Sequence, residues 1–274
     1  MVRWRLQRSH RAGKLNGAEA SSSKRAFSSL HVEKTIPLQE GLTAQQLRLE
    51  TGEDALELLW QGTLWGRDLR RLSARLREER DQIASVLGSR SSASSLLKAV
   101  FFDIETLGFR GCPLFLIGAM LWREGELQIH QFFAPTLRGE RAVLVAFLQC
   151  LSEGAWLISF NGRAFDVPFV EDRLRAHRLP SLGERFHLDL LPLSRRCWGN
   201  ILPNCRLQTL EAFLCGYRRP DDLPGSLVPS AYRAYQRDRN PETIFPVIQH
   251  NVQDLITLGE LLLQLVNPAQ RTRS

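Results

Sequence analysis

The stretch Phe101-Phe102-Asp103-Ile104-Glu105-Thr106 sets two carboxylates at i and i+2 in an otherwise apolar run. Side chains alternate across a strand, so Asp103 and Glu105 share one face, Phe102 and Ile104 the other, and the two acids enter a common volume. Two adjacent ionised carboxylates repel, and burying either without a partner is costly. A divalent cation relieves both problems, and a donor set made only of oxygen suits magnesium or manganese. The plain alternative is a pair of solvent-facing acids on an edge strand. A second acid ends the segment Trp156-Leu157-Ile158-Ser159-Phe160-Asn161-Gly162-Arg163-Ala164-Phe165-Asp166. There an apolar strand-like run meets an Asn-Gly turn, and Pro168 suits the first turn of a helix. Asp166 then stands beyond the carboxyl end of a strand, where open α/β sheets gather ligands; a simple N-cap explains it equally. A third motif, His250-Asn251-Val252-Gln253-Asp254, lies in a C-terminal helical pattern. His250 and Asp254 are four apart and share a face with Leu258 and Leu261. A packed core histidine is the alternative there.

In order and spacing, FFDIET, FNGRAFD and HNVQD resemble the motifs of ribonuclease H-like exonucleases with four acidic metal ligands, the DEDD superfamily, and within it the YprB-like predicted exonucleases. FNGRAFD is also similar to a motif of the proofreading exonuclease of family B DNA polymerases. The likeness runs from about Lys98 to Val266. It implies an α/β, ribonuclease H-like fold with a mixed central sheet flanked by helices. It also implies two magnesium or manganese ions held by Asp103, Glu105, Asp166 and Asp254, with Asp103 bridging. The implied reaction is hydrolysis of phosphodiester bonds in DNA or RNA, 3′ to 5′, on single strands or free 3′ ends. One ion would activate water and the other would stabilise the leaving oxygen, with His250 orienting or deprotonating that water. The chain departs from the family at this last residue: the histidine subclass has its His five positions before the final Asp, whereas His250 is four before, where the other subclass has Tyr.

Two rival classes are open to test. A strand ending in Asp-Ile-Glu-Thr is also similar to the nucleophile motif of haloacid dehalogenase-type phosphatases. That motif normally has Asp at the second acid and needs a downstream Lys, and the chain has no Lys after Lys98. A non-catalytic nucleic-acid-binding module on a decayed nuclease fold is the other, against which the presence of all four acids speaks. Arg195, Arg196, Trp198 and Arg206 form a basic-aromatic cluster suited to phosphate pairing and base stacking on a single strand, with a core position the equal alternative for Trp198. Thr106 and Asn161 are further candidates for nucleic-acid contact. Asp189 is expected as a helix cap, and Asp221 and Asp222 as solvated loop acids.

The elements that must carry these residues follow from pattern. Ala99 to Ile104, Leu114 to Trp122 and Leu127 to Phe133 have strand composition and short connections, which predicts three antiparallel strands. A helix over 140 to 151 then crosses to the strand at Trp156, which places the first strand near the sheet centre. A last strand is expected at 187 to 190. Before residue 97 the organisation changes. Residues 1–40 are expected to be a basic, mobile tail, Arg- and Ser-rich with Glu19 the single acid of the first thirty. Residues 41–96 are expected to be a helical extension, with a short helix over 43 to 59, a longer one over 66 to 87 and a Ser-rich linker over 89 to 95. In the longer helix Arg67, Arg70, Arg71, Arg75, Arg77 and Arg80 would form a solvated, salt-bridged face. Residues 97–267 would be the nuclease domain.

Composition agrees with a polyanionic partner. The 274 residues carry a formal charge of +7, and 43% are hydrophobic, enough for a well-buried core. No apolar run reaches the length of a membrane span, which argues against a membrane partner. Five cysteines without paired metal-ligand spacing suit reduced thiols, and a cytoplasmic location is expected. An Arg-rich, acid-poor start with Arg25-Ala26-Phe27-Ser28-Ser29 as a processing site would alternatively be an organellar transit peptide.

Overall fold

The computed structural model describes residues 30–39, 42–49, 52–87, 93–219 and 222–267. The expected tail up to residue 29, its processing site, Asp221, and residues 89–92 of the linker lie outside the described residues.

Three strands open the described chain: β1 (Leu30–Gln39), β2 (Leu42–Leu49) and β3 (Asp54–Trp60). A two-residue-strand hairpin, β4 (Thr63–Leu64) and β5 (Arg67–Asp68), leads into helices α1 (Leu69–Glu78) and α2 (Arg80–Leu87). Next come β6 (Ala99–Thr106), β7 (Leu114–Arg123), β8 (Glu126–Phe133), α3 (Glu140–Cys150) and β9 (Trp156–Ser159). The remainder is α4 (Asp166–Ala176), β10 (His187–Asp189), α5 (Leu190–Trp198), the short α6 (Leu207–Leu210) running into a π-turn at Glu211–Cys215, α7 (Val228–Asp238) and α8 (Pro241–Val266).

One eight-stranded sheet has the order β1-β2-β3-β8-β7-β6-β9-β10. The pairs from β1 to β6 are antiparallel, and β6-β9 and β9-β10 are parallel. The five strands β8-β7-β6-β9-β10, with helices on both faces, make the mixed ribonuclease H-like sheet, and β6 lies at its middle as the pattern predicts. Its two faces separate cleanly. Phe102 stacks on Phe147 of α3 with ring centres 5.9 Å apart, whereas Asp103, one residue on, accepts a hydrogen bond from Asn251 of α8. Alternation along β6 therefore places α3 on one face and α8, with the acids, on the other. Burial on both faces explains why β6 and β7 are almost continuously apolar. Each large apolar side chain taken fully out of water there contributes about 1.5–3 kcal/mol. Among the described residues, no helix is long and apolar enough to cross a membrane.

The N-terminal extension departs from expectation. Residues 43 to 59, expected as a short helix, form β2 and β3, and part of the expected tail is β1. The cause is tertiary: β8 presents a free edge, and β3 takes it in a ladder that sets Leu58 opposite Gln131 and Trp60 opposite Ile129. Ala55 and Trp60 are sealed from solvent in the process. The expected 66–87 helix begins later, at Leu69, where Asp68 caps it by accepting from the Arg70 amide at 2.8 Å, and it breaks at Glu79. Arg67 therefore leaves the solvated arginine face and is buried, 6% exposed.

Candidate active site

The four acids arrive on three elements. Asp103 and Glu105 come from β6, Asp166 is the first residue of α4, and Asp254 lies midway along α8. A left-handed Asn161 (φ 65°) turns the chain from β9 toward α4. At Gly162 a Cβ would stand 2.0 Å from Ser159 Oγ and 3.2 Å from Asp166 Oδ2, so only glycine fits beside the acid. Asp189 clamps this turn. It accepts from the amides of Asn161 (2.8 Å) and Arg163 (3.1 Å) and caps α5 through the Leu191 amide (3.1 Å). The cap expected of Asp189 thus also braces the turn that delivers Asp166.

Electrostatics tie the acids together. Desolvation, then the charge of Asp254, Asp166 and Glu105, push the Asp103 carboxyl well above its usual range, against a hydrogen bond from Asn251. Burial raises Glu105 to about 8 and Asp166 to about 7, with Asp254 contributing to both. Asp254 thus acts on all three of the other acids. Asp254 is also gripped by cations. Its Oδ1 is 2.7 Å from Arg219 Nη2 and its Oδ2 is 3.5 Å from His250 Nε2. The Arg219 contact is close but poorly angled, so Oδ1 is a buried oxygen without a hydrogen bond.

His250 stands between two acids, its Nδ1 at 2.8 Å from Asp222 Oδ1. Burial alone would lower its pKa; the Asp222 hydrogen bond and the charges of Asp254 and Glu105 outweigh that and carry it to about 9. In the metal-free protein the imidazole therefore holds its proton at neutral pH. Asp222, expected as a solvated loop acid, is drawn in by His250 and by Arg219 Nη1 at 3.4 Å. Behind them the buried Glu211, on the π-turn, accepts from Arg219 Nε at 2.6 Å and from Arg67 Nη1 at 2.5 Å. Arg67 also reaches Glu260 Oε2 (2.5 Å) and Thr257 Oγ1 (2.9 Å). Arg67 and Asp222 escape a reading of the sequence because Glu211 and His250 stand 144 and 28 residues away; the π-turn, a frequent companion of functional sites, is what marks Glu211.

A cleft of about 480 Å³ opens beside the acids, lined by Asp103, Asp254, Phe160, Asn161, Arg195 and Arg206, with Asn204 and Leu191. Of the residues expected to touch nucleic acid, Asn161, Arg195 and Arg206 line this cleft. Arg196 is exposed on α5 and does not line it. Trp198 is 2% exposed and part of the core, so it has no face to offer a base. Thr106 is likewise turned inward, its hydroxyl donating to the Gly108 carbonyl at 2.7 Å.

Among the described residues, no group of three or more His, Cys, Asp or Glu side chains stands ready-made to hold a metal ion. The donor chemistry nonetheless fits a hard divalent cation: carboxylates only, three with raised pKa, and a buried Asp254 oxygen lacking a hydrogen bond.

The model of a family described as the RNase H superfamily matches residues 100–266. The Bacillus subtilis (strain 168) protein YprB is 34% identical over 170 residues, which cover 60% of this chain and 41% of YprB. The match thus spans less than half of that relative's length.

Proposed function

This chain belongs to the RNase H superfamily, and from that premise we propose that it is a metal-dependent nuclease that hydrolyses phosphodiester bonds of DNA or RNA, working 3′ to 5′ on single strands. The observation that carries this reading is the convergence of Asp103, Glu105, Asp166 and Asp254 on one volume, where the charge of Asp254 raises the pKa of the other three. So much negative charge stabilises no fold, and it suits a site whose partner is a cation.

Asp103, Glu105, Asp166 and Asp254 would hold two magnesium or manganese ions, which when bound supply an activated water and neutralise charge on the leaving oxygen. The chain's own residues prepare the rest. Asn251 holds Asp103 by its Oδ2, and Arg219 with His250 holds Asp254. Without metal, His250 holds its proton between Asp222 and Asp254 and donates to Asp222. Arg195 and Arg206 on the cleft wall place positive charge where a backbone phosphate would lie, and Phe160 adds an apolar surface.

The test is purified protein with magnesium or manganese, offered 5′-labelled DNA and RNA, single- and double-stranded. Stepwise shortening from the 3′ end, arrested by chelator, by a 3′-phosphate and by Asp103→Asn, is expected. Turnover by Asp103→Asn equal to that of the native chain would overturn the assignment. Rapid cutting of a closed single-stranded circle would replace the exonuclease reading with an endonuclease one.

A further inference from the structure

We infer that Trp60, Gln131 and Asn251 form a hydrogen-bonded positioning relay that fixes the Asp103 carboxylate, which makes the N-terminal strand β3 a working part of the site. Trp60 Nε1 donates to Gln131 Oε1 at 2.8 Å. Gln131 Nε2 donates to Asn251 Oδ1 at 2.8 Å and to the Ile248 carbonyl at 2.9 Å. Asn251 Nδ2 in turn donates to Asp103 Oδ2 at 2.8 Å and approaches the Asp103 carbonyl at 3.4 Å.

Direction along this line is forced from its far end. An indole N–H can only donate, so the oxygen of the Gln131 amide must face Trp60 and its nitrogen must face Asn251. The Asn251 oxygen is then committed to Gln131, and its nitrogen is left for Asp103. Turning over either amide would set donor against donor and acceptor against acceptor. Water cannot repair such an error, because Trp60, Gln131 and Asn251 are each 0% exposed. The sheet makes room for the last link: Gly118 is paired with Asp103, and a Cβ there would stand 2.1 Å from Asn251 Oδ1. With Oδ2 taken by Asn251, the Asp103 carboxylate is held in one rotation while its other oxygen stays uncommitted to the relay.

The relay's catalytic consequence rests on the nuclease reading, but its existence can be tested without it. Trp60→Phe keeps a ring and removes the donor; Gln131→Met keeps the chain length and has no N–H to donate to Asn251. In both, hydrogen exchange of the Asn251 side-chain amide, followed by NMR in metal-free protein, is expected to quicken at least about 10-fold with backbone exchange in β6 and α8 unchanged. In nuclease assays both variants are expected to lose about 10- to 100-fold in kcat with KM for a single-stranded oligonucleotide within two-fold, since a misplaced catalytic group costs rate more than binding. Adding Asn251→Ala to Trp60→Phe should cost no more than Asn251→Ala alone. Unchanged amide exchange in Trp60→Phe and Gln131→Met would overturn the relay. Native protein without nuclease activity would overturn the proposed function, and the exchange data would still decide the relay. If Trp60→Phe fails to fold, Gln131→Met carries the same comparison.

Discussion

Replacing Asp166 with Asn should stabilise the metal-free protein at alkaline pH, although the residue belongs to the acid cluster. Burial lifts Asp166 from 3.8 to about 7, with the charges of Asp189 and Asp254 adding to the rise and backbone hydrogen bonds opposing it. A carboxyl raised on folding costs nothing below about pH 3.8, where it is neutral in both states; stability is lost as pH climbs through about 7. A rise of that size corresponds to about 4 kcal/mol above pH 7, part of which neighbouring acids recover by sharing protons. Asp166→Asn is therefore expected to gain on the order of 2–4 kcal/mol at pH 8.5 in chelator and little at pH 4.5. Denaturant unfolding at both pH values would show the gain as a higher midpoint at unchanged slope. Saturating magnesium should reverse the order, because an ion bound to the native state stabilises the native chain most. Equal midpoints for variant and native chain at pH 8.5 would refute the account of the acids as mutually destabilising.

Arg67→Met should cost about 3–5 kcal/mol in the same unfolding assay, since Glu211 loses a buried partner and Glu260 its cation; a loss under about 1 kcal/mol would show the cluster to be dispensable. Glu140 has the opposite pH sign to Asp166. Burial opposes its ionisation, but hydrogen bonds from His177, Arg173 and the Leu114 amide hold its pKa below 4.5. Its contribution is thus full above about pH 4.5 and fades as the pH falls through the lowered value, so Glu140→Gln should flatten the acid limb of the stability curve, measured by thermal melts from pH 3 to 7. Arg195→Ala and Arg206→Ala should each weaken binding of a single-stranded oligonucleotide and reduce the salt slope by about 0.7 for each phosphate no longer neutralised, whereas Trp198→Phe should leave that slope alone; fluorescence titrations over a range of salt would separate them.

Much of the site is legible because its signals are local. Asp103 and Glu105 declare a shared face by their i, i+2 spacing, the Asn161-Gly162 pair announces a turn, and the runs of β6, β7 and β8 are bounded by short polar connections. What escaped depends on partners far along the chain. Residues 54–60 contain Ala, Leu and Glu, which suit a helix, and become a strand because β8 offers an edge. Arg67 looks like the first of a row of solvated arginines until Glu211, 144 residues away, claims it. Trp198 has the composition of a stacking platform, but α5 turns it into the core.

The place of β3 separates two boundaries usually treated as one. Likeness to the family starts at residue 100, yet a fragment beginning there would strip β8 of its neighbour and deprive Gln131 Oε1 of its donor and Glu211 and Glu260 of Arg67. All four acids would survive that truncation. What would remain is a sheet with a bare, sticky edge inviting aggregation. Excision guided by homology alone would therefore cut contacts on which β8, Gln131 and Glu211 depend, and a loss of activity in that fragment would not bear on its chemistry.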